Sequence, residues 1–424
     1  MDKDFNLPTE YRLQELTIDG EDVSGFFLSL SIYENIYTPA VTGFLMIIDT
    51  DGGGLLETQG LEFTEDIAFT FTNAEEEELK FEGHLNGLSN EVTKDSKKVY
   101  TINFVSKVVR ENEQSFVTKR FADVSPSDIV TEMLDQRLSV ENTNIMGEGR
   151  PMNYLGSRRK PLDVVKYVLT HGVVNDRTQP SADDNDDGEA TSSDNYGYTG
   201  FLCWETIKEF RFASINQILD GEIGETHKDY IKQLQNRSLS MEDAMKGIID
   251  YEFPRLGDQQ TKMRSGGYRN KVITFDLDKG HYDESENKSE EHMTDKQKEA
   301  VKFPTRFLWK PYTNEKFMSG CDKAQPNTGD QSRLSLSQNT TRQNTFDDQL
   351  GEFTLPPHFE MSAGDTIDVK LSKVESEKEG GYDEKHSGKY VIKALGHHFT
   401  VDGRAYTKIA TIRSTTQQDE EKAQ

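Results

Sequence analysis

Glu65-Asp66-Ile67-Ala68-Phe69-Thr70-Phe71 alternates apolar and polar residues with a period of two, the pattern of a strand with one buried face. Asp365-Thr366-Ile367-Asp368-Val369-Lys370-Leu371 repeats that pattern 300 residues later (367 − 67). A charged loop follows each, then a second strand-like run: Leu79, Phe81 and Leu85 in one, Tyr390, Ile392 and Leu395 in the other. Each copy closes on a Tyr-Thr pair, Tyr100-Thr101 and Tyr406-Thr407, 33 residues (100 − 67) and 39 residues (406 − 367) after its isoleucine. A longer loop around Glu377 to Lys385 accounts for the difference. The echo predicts one β-module present twice in a single chain. Strands with Thr and Tyr recur in unrelated β proteins, so the echo alone does not establish a duplication. If it is real, three chains would close a ring of six similar modules, since closed symmetric oligomers are the common outcome.

Working outward, the first 110 or so residues read as short strands with turns between them. Leu13, Leu16 and Ile18 lead into the hairpin dipeptide Asp19-Gly20, and Phe26, Leu28, Leu30 and Ile32 alternate. Gly43-Phe-Leu-Met-Ile-Ile48 is a short apolar run before the glycines 52–54, which read as a flexible turn. Such spacing suggests a small antiparallel barrel or sandwich. At Ser125-Pro126-Ser-Asp128 the pattern turns helical, with an N-cap, a first-position proline and an acid in the first turn. A second helix is predicted from Pro161, with Leu162, Val165, Val168 and Leu169 on one face. Residues 175–199 are nearly devoid of apolar side chains and read as a mobile loop. Phe201-Leu-Cys-Trp-Glu and Phe210-Arg-Phe-Ala return to strand, with Trp204, Phe201 and Cys203 expected in the core. Ser240-Met-Glu-Asp243 predicts a helix through Ile248. Asp276 to Ala300 reads as a solvated, charged connection, and Arg333 to Asp348 as a polar helix. The final strands are predicted at 353–355, 366–371, 390–395 and 406–412, ahead of a frayed tail.

The 424 residues carry 49 basic and 75 acidic side chains, a formal net charge of −26, with a pI near 4.8. That charge disfavours nonspecific binding to nucleic acid or anionic membrane. No apolar run is long enough to span a bilayer. The first residues lack a basic and an apolar signal region, so no signal peptide is expected. Two cysteines, Cys203 and Cys321, cannot build a disulfide framework and fit a reducing cytoplasm of origin.

Catalytic signatures are absent: no Gly-x-Ser-x-Gly, no His-Glu-x-x-His, no phosphate-cradling Gly-x-x-x-x-Gly-Lys and no Cys-x-x-Cys. His397-His398 lies in a predicted strand, so the two rings face opposite ways and cannot grip one metal. Arg158-Arg159-Lys160 lacks interleaved aromatics and reads as a helix cap or a subunit contact. The run Asp183-Asp-Asn185-Asp-Asp187-Gly188-Glu189, with Asp194, matches a calcium loop at several ligand positions. Against it, position 8 is Ala190, position 12 is Asp194 rather than a bidentate Glu, and Pro180 interrupts the entering helix. Metal-free is therefore the expected state, and no cofactor is expected.

Taken in order, Lys160-Pro-Leu-Asp-Val-Val-Lys-Tyr-Val168, Gly200-Phe-Leu-Cys-Trp-Glu-Thr206 and Phe210-Arg-Phe-Ala-Ser-Ile215 resemble the central baseplate hub protein of contractile-tailed bacteriophages. So do Met263-Arg-Ser-Gly-Gly-Tyr268 with Val272 to Asp276, Gly351 to Leu355, Ala363 to Val369, Gly388 to Ile392 and His397-His-Phe399. The resemblance implies an α+β, β-rich fold with two tail-tube-like antiparallel β-barrel modules joined by a helical and mixed domain. The expected boundaries are 1–111 for the first module and 112–200 for a helical domain with its acidic loop at 175–199. Mixed α/β segments follow at 201–349, starting the second barrel and including a charged insertion at 278–349. The main part of the second barrel spans 350–415, and a tail 416–424. The resemblance also implies a non-enzymatic virion protein of the tail baseplate, assembled in the host cytoplasm. It would be a homotrimer forming a pseudo-sixfold ring that adapts a threefold tail spike protein to a sixfold tail tube or tube-initiator protein, with baseplate wedge proteins as further partners. DNA would pass through the lumen, and acidic residues lining it would keep phosphates from sticking. The competing readings are a tail-associated cell-wall or glycan hydrolase and a calcium-dependent adhesion module.

Overall fold

The computed structural model describes residues 5–50, 60–94, 97–149, 151–174, 200–232, 240–256, 259–277, 280–288, 295–312, 340–341, 344, 346, 349–372, 382–383 and 385–413. The first module is built from β1 (Tyr11–Ile18), β2 (Glu21–Asp22), β3 (Phe27–Asn35), β4 (Thr42–Thr50), β5 (Asp66–Asn73), β6 (Glu78–Lys94) and β7 (Lys97–Ser106). Across the sheet they run β3-β4-β7-β6-β5-β1-β2. Period-two alternation points Ile67, Phe69 and Phe71 inward, each at most 1% exposed, onto Leu45, Ile47, Ile102 and Phe104.

The chain then leaves the sheet. Helix Lys107–Gln114, β8 (Val117–Val124), helix Pro126–Thr131, a wider π-turn at Glu132–Arg137, β9 (Thr143–Ile145), β10 (Met152–Arg159) and helix Pro161–His171 follow. The stretch read as helical therefore holds three strands as well. The two predicted starts are as expected: Ser125 Oγ accepts the Asp128 amide at 3.1 Å ahead of Pro126, and Pro161 opens the second helix. Ile129, Val130, Met133 and Leu134 bury against Val164, Val165 and Val168.

The hairpin of β11 (Phe201–Glu205) and β12 (Phe210–Ser214) is apolar on both faces, which is why its sequence does not alternate. Phe201, Cys203, Phe210 and Phe212 enter the helical core, while Leu202, Trp204 and Ala213 enter a second cluster with Ala363 and Val391.

The second module comprises β13 (Thr226–Lys232) and β14 (Asp250–Leu256), then, after an excursion, four further strands. In the excursion, β15 (Arg269–Asp276) lies between β16 (His281–Lys288) and β17 (Arg306–Tyr312). The charged stretch expected to be a connection is thus partly a paired strand: β16 pairs with β15 from Asp276↔His281 to Arg269↔Lys288. The charges sit at strand positions satisfied by cross-strand pairs such as Arg269 with Glu286. The helix at Ser240 also ends early, at Met245, because Gly247 bridges to Ile231 and starts the turn into β14. The predicted helix at Arg333–Asp348 falls almost wholly outside the described residues, as does the tail.

With β18 (Gln349–Leu355), β19 (Thr366–Leu371), β20 (Gly388–Thr400) and β21 (Arg404–Arg413), the second module runs β14-β18-β21-β20-β19-β13. That is the order β3-β4-β7-β6-β5-β1 again. The equivalence extends to irregularities. The β6·β7 ladder bulges between Leu85 and Gly87, and β20·β21 bulges between Ile392 and Ala394, at offsets of 307 in both cases (392 − 85; 394 − 87). Gly43 lies opposite Phe104 and Gly351 opposite Thr411, again 307 apart (411 − 104). One difference is that β1 pairs antiparallel to β5, whereas β13 runs parallel to β19.

This register corrects one detail of the sequence echo. With Ile67 on Ile367, Tyr100 corresponds to Thr407 and not to Tyr406. Tyr100 and Thr407 are both buried, while Tyr406 points to the other face. The matching Tyr-Thr letters are one residue out of phase, and a one-residue slip exchanges the two faces.

Gly43 and Gly351 offer a test of how far the equivalence goes. A Cβ at Gly43 would stand 2.3 Å from Phe104 Cζ and 2.4 Å from the Ser31 carbonyl, whereas at Gly351 the nearest atoms are 3.1 Å away. Gly43→Ala is expected to cost about 1–3 kcal/mol by denaturant melts and Gly351→Ala about half of that or less. Equal losses would contradict the different packing.

Candidate functional site

The feature that organises the molecule is the seam between its two modules. Beyond its bulge, β20 turns its free side to β3 and pairs antiparallel with it from Ala394↔Asn35 to Thr400↔Ser29. The ladder joins the modules into one continuous sheet, and side chains lock it. His398 Nδ1 and Ser31 Oγ are 2.9 Å apart, and the Tyr33 ring meets His398 edge-on. The β20–β21 hairpin also reaches the far edge of the first module: the Tyr11 amide donates to Gly403 O, Ala405 donates to Thr9 O, and the Tyr11 hydroxyl donates to Thr400 O at 2.7 Å. Phe399 stacks on Phe71 at 3.8 Å between ring centres, so a second-module residue completes the first module's core.

Beneath the seam lies a buried polar cluster. Glu34 Oε1 accepts the Ile207 amide at 2.8 Å and Oε2 accepts the Ala363 amide at 2.7 Å. One carboxylate on β3 therefore ties the β11–β12 turn to the loop before β19. Glu205 Oε2 accepts the Val41 amide at 3.0 Å and the Ser106 hydroxyl. Arg211 donates to Asp365 at 2.7 Å, to Glu209 at 2.8 Å and to Ala363 O at 3.1 Å. Asp365 also faces His227 Nε2 at 3.0 Å and accepts the Ser362 and Glu225 amides. Trp204 Nε1 donates to Ala363 O at 2.8 Å, and Gly364, at φ +93°, leaves room for that indole. Burial pushes the Glu34 and Glu205 carboxyls up to about 7 each, against the pull of their amide and hydroxyl donors. Burial works against the Asp365 carboxylate too, yet His227 and Arg211 hold it below the usual aspartate range.

Raised carboxyl pKa values often mark acid–base catalysts. Here Glu34 is buried with an amide on each oxygen, and half-buried Glu205 takes the Val41 amide and the Ser106 hydroxyl on one oxygen, so their work is positional. Above the seam, the face of the sheet that points away from the core is concave. It encloses a groove of about 800 Å³ whose lining includes Tyr33, Asp250, Glu252, Glu352, His398 and Lys408.

The remaining sequence candidates do not converge on this seam as a group. The calcium-loop residues Asp183, Asn185, Asp187, Glu189 and Asp194 lie outside the described residues. His397 and His398 do face opposite ways. His397 is buried, with Nδ1 2.9 Å from Thr407 Oγ1, and burial lowers it to about 3. Lys160 and Arg158 lie over the Phe116 ring, and Lys160 pairs with Glu113. Among the described residues, Glu75, Glu77 and His358 come close enough together to hold a cation. Protein partners engage two of the three: His358 Nε2 is 2.8 Å from Met245 O, and Glu77 accepts from Asn73 and from the Phe359 amide.

Sequence reasoning missed Glu34, Glu205, Arg211 and Asp365. A charged residue inside an otherwise apolar strand, such as Arg211 in Phe-Arg-Phe-Ala, was the available signal. The cluster has a pH signature. The folded state keeps the protons of Glu34 and Glu205 up to about pH 7, whereas an unfolded Glu releases its proton near 4.3. Native chains bind more protons between those values, so this contribution to stability is full below about 4.3 and is lost as pH rises towards 7. Glu205→Gln, which keeps an acceptor oxygen, is expected to flatten the fall by on the order of 1 kcal/mol per pH unit in denaturant melts from pH 5 to 7. An unchanged slope would contradict the assignment.

No protein-family model and no curated protein matches the sequence. Solved structures do match its fold. The chain superimposes on a 43 kDa tail protein of prophage MuSo2 from Shewanella oneidensis with a TM-score of 0.53, covering 95% of this chain and 98% of that one at 8% identity. It superimposes on a tail protein from Neisseria meningitidis MC58 with a TM-score of 0.55, covering 96% and 98% at 8% identity. From end to end, the chain has the fold of these tail proteins.

Proposed function

We propose that the chain is a structural, non-enzymatic hub of a phage-type tail baseplate. Three copies close a ring of six modules that adapts a threefold spike to a sixfold tube, and DNA transits its lumen. The observation that carries this reading is the duplicated module: strand order, bulge and ladder glycine recur at a constant register. Two like modules joined edge to edge in one chain amount to one third of a six-module ring. The fold shared with tail proteins from two bacteria supports the same reading.

The concave sheet face suits a channel wall. Its groove carries Asp250, Glu252 and Glu352 against Lys408, an acidic excess that repels phosphates and lets DNA slide. On the β15–β17 sheet and just before it, Phe303, Phe307 and Trp309 are 76%, 56% and 68% exposed. Aromatic surface of that kind supports an assembled state in which spike, tube or wedge proteins, or a second copy, cover it.

Native mass spectrometry tests the proposal. The expected species has three times the 48.2 kDa chain mass and gives ring-shaped particles in negative stain. A monomer at every concentration, including tens of micromolar, would overturn it.

A further inference from the structure

The joint that fuses the two modules is made from two half-joints, and the chain carries each half twice. The first half is a long strand whose leading part is paired and whose trailing part is free beyond a bulge. In β20, β19 pairs Gly388–Val391, and β3 takes the trailing part from Ala394 to Thr400. In β6, β5 pairs Glu78–His84, the bulge falls at Leu85/Gly87, and the trailing part pairs with β7 on one side. On its other side, among the described residues, no strand pairs with Leu88–Lys94.

The second half-joint is the outer strand next to the ladder glycine. β3 lies outside β4 and receives β20. Its counterpart β14 lies outside β18, and among the described residues no strand pairs with its other edge. One joint is filled within the chain, and the second is present as two open halves. Along the sheet β14 and β6 are seven ladder steps apart, and among the described residues the two halves do not pair with each other within the chain.

We infer that the trailing part of β6 in one copy pairs antiparallel with β14 of a second copy, reproducing the β20·β3 seam between chains. This rests on the trimer reading and specifies how its chains join. The internal register dictates the external one. Val92 lies opposite Val99 and His398 opposite Tyr406, and Val99 and Tyr406 are equivalent at the same offset of 307 (406 − 99). Glu252 lies opposite Glu352 and Ser31 opposite Phe44, and those partners are equivalent through β18 and β4. The contact His398↔Ser31 therefore becomes Val92↔Glu252. Likewise Phe399↔Leu30 becomes Thr93↔Tyr251, and Thr400↔Ser29 becomes Lys94↔Asp250.

The exposed chemistry agrees. Val92 is 58% exposed on an open edge, where an unprotected apolar strand invites pairing. Pro254 cannot donate to a ladder, and it falls within the β14 irregularity between Glu252 and Arg255, outside the three pairs. Because the joint is heterologous, each copy offers one open half at either end, and a sixth of a turn per module closes the ring after three chains.

Cysteine cross-linking of the full chain tests the joint. The double variant Val92→Cys with Glu252→Cys, mildly oxidised, is expected to give covalent dimers and trimers on non-reducing gels. A mixture of the two single variants should stop at dimers, and each single variant alone controls for Cys203 and Cys321. Moving one partner out of register, as Val92→Cys with Tyr251→Cys, should lower the yield at least tenfold. As a second variant, Thr93→Pro removes an edge amide and should weaken trimerisation at least tenfold with the monomer's melting temperature unchanged. A trimer by native mass spectrometry with no register-dependent cross-link would overturn this joint and leave the hub reading standing. A chain that stays monomeric without any substitution would overturn the hub reading itself.

Discussion

The pairing of β20 with β3 is the constraint on which the rest of the molecule depends. It makes one sheet of two modules that are far apart in sequence. A ladder alone would leave the modules free to hinge about the strand axis. Glu34 removes that freedom, because its two oxygens take amides from two different segments, Ile207 and Ala363. The Ala363 amide would otherwise be a buried donor without a partner, costing about 1–3 kcal/mol, and the half-buried Ile207 amide would lose its bond as well. The same carboxylate therefore satisfies the backbone and sets the angle between the modules.

The β11–β12 hairpin is the wedge that transmits this geometry. Its two apolar faces divide between the helical core and the cluster under the seam, and its polar residues reach the modules on either side. Glu205 ties it to Val41 and Ser106 of the first module, and Arg211 ties it to Asp365 of the second. Buried ion pairs seldom add much net stability, since desolvation offsets the attraction. Their usefulness here is specificity: only one relative placement of three segments satisfies every member. A rigid angle between modules is what the proposed ring requires, because angular error accumulates around a ring.

The strand pattern was legible wherever one face of a strand is buried and the other is wet. Ile67-Ala-Phe69-Thr-Phe71 and its counterpart at 367–371 announce themselves, as do the capped helices at Ser125 and Pro161. Legibility failed where burial was two-sided or where polar residues paired with each other. β16, His-Tyr-Asp-Glu-Ser-Glu-Asn-Lys, carries almost no apolar signal and is held by its ladder to β15. The Tyr-Thr coincidence misled by one residue, because letters can match where faces do not. The four residues of the buried cluster were invisible for a related reason. A charged side chain in a sequence looks solvated until a distant segment supplies its partner.

What the sequence determined by itself is local and periodic: β-rich ends around a mixed middle, an echoed strand, helix starts, and the absence of any familiar catalytic signature. Those features depend on side-chain alternation and on capping within a few residues, so they can be read along the chain. Only the tertiary structure decided that the two ends form one sheet, in which register they repeat, and which edges are filled. Strand pairing between residues more than 350 apart, such as Ser31 with His398, depends on bulges and on backbone hydrogen bonds that every residue type can make. Composition carries no record of such bonds, and the repeat in this chain is written mostly in them.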